Sequence, residues 1–160
     1  MLEFFLTTVW GKILYTFLIS MVPFIELRGA IPVAAVSGLS LWIAFPVAVF
    51  GNLVPIPFII LFIRRFFDFL RKVSPKLNGL VDRLEEKGRS KKDIVNKGIF
   101  WGLFIFVAIP LPGTGAWSGA LVAAMLDMRL KRAFPAIALG VMGAGVIMAT
   151  LSYLIPGLFF

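Results

Sequence analysis

Glu26 and Arg28 are the residues of this 160-residue chain best placed to do chemistry. They are the only ionisable residues in the otherwise apolar stretch Pro23-Phe24-Ile25-Glu26-Leu27-Arg28-Gly29-Ala30-Ile31-Pro32. An ion among apolar neighbours is costly, so it marks a proton relay, an ion site or a substrate contact. Glu26 can take up and release a proton, and Arg28 offers a planar fork that grips phosphate or carboxylate with two parallel hydrogen bonds. The competing reading is a structural pair in which each charge neutralises the other. A spacing of two does not bring side chains together on a helix, although a turn does.

A second cluster offers backbone instead of charge. Pro110-Leu111-Pro112-Gly113-Thr114-Gly115 cannot lie within a continuous helix, and Trp117 and Ser118 open whatever helix follows. The first amides of that helix can face an anion. Gly115, Ser118, Gly119 and Ala120 also read as small residues that let helices approach closely, and the two roles are compatible. Asn52, a lone polar group in an apolar run, is expected to bond a neighbouring broken backbone or to touch substrate. The candidate substrate contacts are therefore Arg28, Gly113, Thr114, Gly115, Trp117, Ser118 and Asn52, with Glu26 for proton coupling. Pro23, Pro32, Pro110 and Pro112 mark the tips. The chain has no Cys and no His, which excludes Cys/His zinc sites, thiol nucleophiles, disulfides and a Ser-His-Asp triad. No metal or cofactor is expected. Nor is an enzyme, since one Glu and one Arg without a second nearby carboxylate leave no nucleophile and base pair.

The elements that must position these residues follow from composition. Hydrophobic residues make up 60% of the chain and charged ones 15%, against about a quarter charged in an ordinary globular protein. The pattern is that of an all-α integral membrane protein. Of the net charge of +8, residues 64–97 supply 11 basic and 5 acidic residues, and Arg129, Lys131 and Arg132 stand against Asp127. No aromatic-interleaved basic groove accompanies them, so nucleic acid is not an expected partner. Basic clusters flanking apolar runs mark the cytoplasmic side, which puts residues 64–97 and 127–132 there.

A span needs about 20 apolar residues, and residues 41–63 and 133–155 qualify. Residues 98–126 are broken at Pro110–Gly115 into arms too short to cross, and a re-entrant helical hairpin keeps both basic clusters on one side. Residues 13–39 read the same way; a full span over residues 4–23 is the alternative, with Lys12 near its centre at a cost. Ala44-Phe45-Pro46 followed by Gly51 recurs as Ala133-Phe134-Pro135 followed by Gly140, 89 residues on, and Pro23 and Pro110 are 87 apart. Hairpin then span thus occurs twice, as repeat one over 1–63 and repeat two over 98–160. The first span runs toward Arg64-Arg65 and the second away from Arg129, so the two repeats are inverted, a plan that recurs in secondary transporters. Between them, Leu77, Leu80, Val81 and Leu84 at i, i+3, i+4 and i+7 predict an amphipathic interfacial helix within the cytoplasmic linker 64–97.

The two tips, Glu26-Leu27-Arg28-Gly29-Ala30-Ile31-Pro32 and Pro110-Leu111-Pro112-Gly113-Thr114-Gly115-Ala116-Trp117-Ser118-Gly119-Ala120, resemble the signature stretches of the small multidrug export family. That family is similar to the larger DedA family, whose inverted re-entrant hairpins are thought to carry polyprenyl-phosphate lipids across bacterial membranes. The resemblance implies that Glu26 corresponds to the DedA acid implicated in proton coupling. Arg28 has no counterpart there. DedA proteins carry a basic residue in the second hairpin where this tip is uncharged, so phosphate recognition either falls to Arg28 or is absent.

Together these readings point to a proton-coupled secondary transporter in the cytoplasmic membrane of a prokaryote. Its substrate would be amphiphilic and anionic, its surroundings membrane lipid, and its assembly a homodimer. The rivals are an exporter of lipophilic cations with Glu26 as counter-ion, which nearby Arg28 disfavours, and a non-transporting membrane scaffold.

Overall fold

In the computed structural model, residues 7–73, 79, 92–111 and 113–155 are described. The amphipathic helix expected around Leu77–Leu84 lies outside them, as does Pro112. Among the described residues every regular element is helical. In chain order these are α1 Val9–Met21, α2 Glu26–Val36, α3 Leu41–Leu53, α4 Pro55–Val73, α5 Lys92–Ala108, α6 Ala116–Met125 and α7 Leu130–Ala149, the last running into a π-helical turn, Thr150–Leu154.

Local chemistry sets the breaks. Thr8 caps α1 by accepting the Gly11 N–H at 3.1 Å, and Pro23 follows its end, where a residue with no N–H and a clashing ring stops a helix. Pro55 does not stop the next one. It occupies the first position of α4, where no N–H is needed, so α3 and α4 continue across Val54 as one apolar helix, Leu41–Phe66. Leu130–Leu154 is the other long apolar helix. At 1.5 Å per residue each extends about 38 Å, enough to cross a hydrocarbon core of about 30 Å. Pro32, expected in the first tip, instead sits inside α2, because the helix starts early, at Glu26. The first turn between arms is only residues 22–25.

Side-chain sizes are arranged inside out. Ala30, Ala34, Ala44, Ala48, Ala116 and Ala120 are fully buried, whereas Trp42 is 87% and Phe58 70% exposed. Large apolar side chains pointing outward all round are unfavourable in water and neutral in lipid, and small residues inside let backbones pack closely.

Three contacts define the two ends of the molecule. Lys12 Nζ donates to the carbonyl of Ser37, which ends α2, and Tyr153 donates its hydroxyl proton to Leu39 O at 2.7 Å. The start of α1, the α2–α3 turn and the π-helical turn therefore share one end. Arg64, which donates to Met128 O and pairs with Asp127 at 3.4 Å, marks the other. Lys12 is thus at an end, with its ammonium satisfied. The start of α2 meets the start of α6, where Glu26 accepts from Ala116 and Trp117.

Matching glycines set both helix pairs. Gly51 on α3 lies against Ser20 and the carbonyl of Phe17, and Gly140 on α7 lies against Val107 and the carbonyl of Phe104. A methyl group at Gly140 would stand 2.6 Å from Val107 Cβ and 2.9 Å from Phe104 O. Gly140→Ala is therefore expected to destabilise the fold by about 1–3 kcal/mol, the usual range for overpacking. Gly102→Ala, inside α5 where nothing lies within 4 Å, should not destabilise it and should gain up to about 1 kcal/mol of helix propensity. Thermal unfolding of the two variants in detergent checks the contrast.

Candidate functional site

Where the two tips meet, each charge of the first caps one end of the broken helix in the second. α5 stops at Ala108 and α6 starts at Ala116, which leaves the last carbonyls of one and the first amides of the other without helical partners. The Glu26 carboxylate accepts from the first two of these amides, Trp117 N–H at 3.0 Å and Ala116 N–H at 3.3 Å. Arg28 takes the carbonyl side. Its Nη2 donates to Ile109 O at 3.1 Å and to Thr114 Oγ1 at 2.9 Å, while Nη1 donates to Leu111 O. Thr114 completes the turn, its hydroxyl lying 2.7 Å from Ile109 O. An anion thus sits on the positive end of the α6 dipole and a cation on the negative end of α5, the arrangement helix electrostatics favour.

Backbone conformation pays tribute to this contact. Glu26 has φ +50°, a left-handed conformation that costs a non-glycine residue about 1–2 kcal/mol and that goes with a side chain aimed across at α6. Gly113 and Gly115 have φ +83° and +143°, values open in practice to glycine. At Gly115 the need is double, since a Cβ there would overlap the Glu26 carboxyl group.

Of the residues singled out in the sequence, Glu26, Arg28, Thr114, Gly115 and Trp117 come together here. Glu26 is 4% exposed. Gly113 forms the exposed outer side of the turn beside Pro110, Ser118 is half-buried on α6, and Pro23 is exposed in the first tip. Arg28 does not pair with Glu26 by hydrogen bonds, nor does it project free toward a ligand: both terminal nitrogens are engaged by backbone and Thr114. Among the described residues Arg28 Nε and Trp117 Nε1 are buried without a partner. Asn52 is fully buried, and neither atom of its amide has a hydrogen-bond partner, contrary to the expected bond to broken backbone. The sequence reading missed Ile109 and Ala116 as partners. The available signal was that an uncharged helix break must borrow its caps from elsewhere in the chain.

The outward-facing apolar side chains, the small-residue core and the two long apolar helices define an all-helical membrane protein whose centre is a junction of broken helices. The chain belongs to the family described as "Putative small multi-drug export protein", whose model matches residues 26–147. That range takes in Glu26, Arg28 and the whole of the α5–α6 break, and the description is one of an export protein. No curated protein and no solved structure matches the chain.

Glu26→Gln replaces one acceptor oxygen by a donor and orphans one of the two α6 amides. A buried orphan donor costs about 1–3 kcal/mol. The variant is expected to unfold at lower temperature and to exchange amide hydrogens faster over residues 113–119, read by mass spectrometry, with the α5–α7 contact unaffected.

Proposed function

We propose that the protein is a proton-coupled secondary transporter of the prokaryotic cytoplasmic membrane, with the Arg64 end facing the cytoplasm and an amphiphilic, anionic substrate such as a polyprenyl-phosphate lipid. The observation that carries this reading is the buried carboxylate lying on the first amides of α6, an anion-holding position at the centre of the molecule. Helix N-termini bind phosphate and carboxylate for the same reason they accept Glu26 here. When Glu26 is protonated it withdraws as an anion, and the amides of Ala116 and Trp117 pass to the substrate headgroup. When Glu26 ionises again it reclaims them and expels the headgroup. The Glu26 carboxylate and the substrate anion then hold the same amides in turn, so that proton and anion are bound together. Arg28 keeps the α5 end and Thr114 in place while α6 changes partner, and its charge draws in the anionic headgroup. Gly113, Gly115 and Ser118 give the backbone room for that approach.

Architecture supports the same reading. In it the α1–α2 and α5–α6 pairs are re-entrant hairpins from opposite faces, each followed by a span, forming inverted repeats. The helices α3 and α7 begin at Leu41 and Leu130, 89 residues apart, and the glycine contacts at Gly51 and Gly140 have the same spacing. The basic residues at the Arg64 end follow the positive-inside rule. A chain with this little interior would work as a homodimer. The family description favours a second reading, export of lipophilic cations with Glu26 as counter-ion, in which Arg28 would repel the substrate.

Purified protein in liposomes is expected to move a fluorescent polyprenyl-phosphate analogue when a pH gradient is imposed, and Glu26→Gln to abolish the movement. Movement of a lipophilic cation alone would establish the second reading. Absence of both, with folded protein, would sink transport and leave a membrane scaffold.

A further inference from the structure

The proposed exchange needs protons to reach Glu26, which is 4% exposed. Apart from Ser152 near the Lys12 end, the buried polar residues among those described are Thr16 and Ser20 on α1, Asn52 on α3 and Glu26 at the start of α2. Lys12, Thr16 and Ser20 follow each other at i, i+4 and i+8, on one face of α1. Lys12 is at the end of the molecule. Ser20 reaches α3 at Gly51, the neighbour of Asn52.

Two independent registers set Asn52 level with Glu26. Glu26 and Asn52 stand twelve residues to either side of the 38–40 turn that joins antiparallel α2 and α3. Arg64 meets Met128, and twelve residues back along each segment lie Asn52 and Ala116, the latter in contact with Glu26. An amide with both atoms buried and unpaired is unusual in a native protein and calls for a water or ligand.

Close packing does not require these polar groups. At the 87-residue spacing, the positions of Lys12, Thr16 and Ser20 are taken in α5 by Ile99, Leu103 and Val107, and at the 89-residue spacing that of Asn52 is taken in α7 by Val141. Leu103, Val107 and Val141 are buried there as well, so the matching half packs the same positions with hydrocarbon.

We propose that Thr16, Ser20 and Asn52 line a hydrated proton path from the Lys12 end to Glu26, with Asn52 holding the last water through its unpaired amide. The inference rests on the proton-coupled reading above. Successive hydroxyls on α1 are one helical turn apart, about 5–6 Å, so a water bridges each step. Thr16 donates to Lys12 O and Ser20 to Phe17 O, both at 2.7 Å, which leaves each oxygen free to accept from a water; the hydroxyls hold the waters and the waters relay the proton. The proton leaves bulk water at the Lys12 end and finishes on the Glu26 carboxylate. The charged groups along the route are Lys12 at its mouth and Arg28 beside Glu26.

The chain's lack of cysteine makes the test direct. Thr16→Cys, Ser20→Cys and Asn52→Cys are made singly, with Ala48→Cys, fully buried on the same helix as Asn52, as the dry reference. Right-side-out and inside-out membrane vesicles are treated with silver ion, and the thiols that remain are counted with a maleimide after denaturation. The expected result is loss of free thiol at positions 16, 20 and 52 in right-side-out vesicles, where the Lys12 end is outside, and none at position 48. Cysteines at 16, 20 and 52 as silent as the one at 48, or reactive only in inside-out vesicles, would overturn the path. If Asn52→Cys does not accumulate, the two α1 variants decide by the same criterion. Thiol reactivity needs no transport, so reactive cysteines with no flux would remove the transporter reading alone, and unreactive cysteines with proton-driven flux would remove the path alone.

Discussion

A helix broken in the interior of an apolar protein leaves amides and carbonyls that neither water nor hydrocarbon can satisfy. The break between α5 and α6 is met by an acid and a base from a segment more than 80 residues away in the chain. Glu26 and Arg28 are too close in sequence to face each other on a helix, and that separation is what lets them work apart, one on the α6 amides and the other on the α5 carbonyls. Each charge is held by a helix end and by backbone dipoles. Removing either leaves an uncapped end and also an unmatched charge on the other. The left-handed backbone at Glu26, the two turn glycines and the packing of Gly115 on the carboxyl group all serve this junction.

Packing brings the two tips to one level. With lipid outside, bulk apolar residues gain nothing by turning inward, so close approach of backbones holds the helices together. Gly51 and Gly140 let α1 and α5 reach the long helices through a carbonyl contact, at Phe17 and Phe104 respectively. A side chain at either glycine would push its helix pair outward and separate Glu26 from Ala116. The spacing of small residues in the two long helices and the capping of the broken one are therefore a single structural requirement.

The sequence exposed much of this architecture because the signals are local. Apolar runs of the right length and the Pro-Gly cluster at 110–115 act over a few residues, and the all-helical membrane class follows from them. The first turn is shorter than expected because Glu26 enters the helix in a conformation that residue type does not foretell. Pro32 consequently lies in the helix interior and not in the tip. Lys12 suggested a cost when counted along a span, yet its ammonium rests on the carbonyl of Ser37, a partner 25 residues away. The partners of Arg28 were equally hidden. A side chain that reads as a ligand clamp when seen alone is occupied by main-chain carbonyls once the second tip arrives, and only the three-dimensional junction carries that information. Of the two readings of Asn52, the bond to broken backbone is absent, its amide having no hydrogen-bond partner in the protein.

On the proposed mechanism, the difference between the two halves matters as much as their likeness. The proposed path approaches Glu26 from the Lys12 end, and on the far side, toward Arg64, the fully buried Ile56 and Ile60 of α4 pack in the core beside α6. A water path cannot continue through those two side chains without displacing them. A proton that reaches Glu26 therefore leaves by the way it came unless α6 moves. Because the Glu26 carboxylate holds α6 by its first two amides, neutralising that carboxylate loosens the very helix whose displacement would open the other side. Protonation and opening are then coupled through one contact. That coupling distinguishes a carrier from a proton leak.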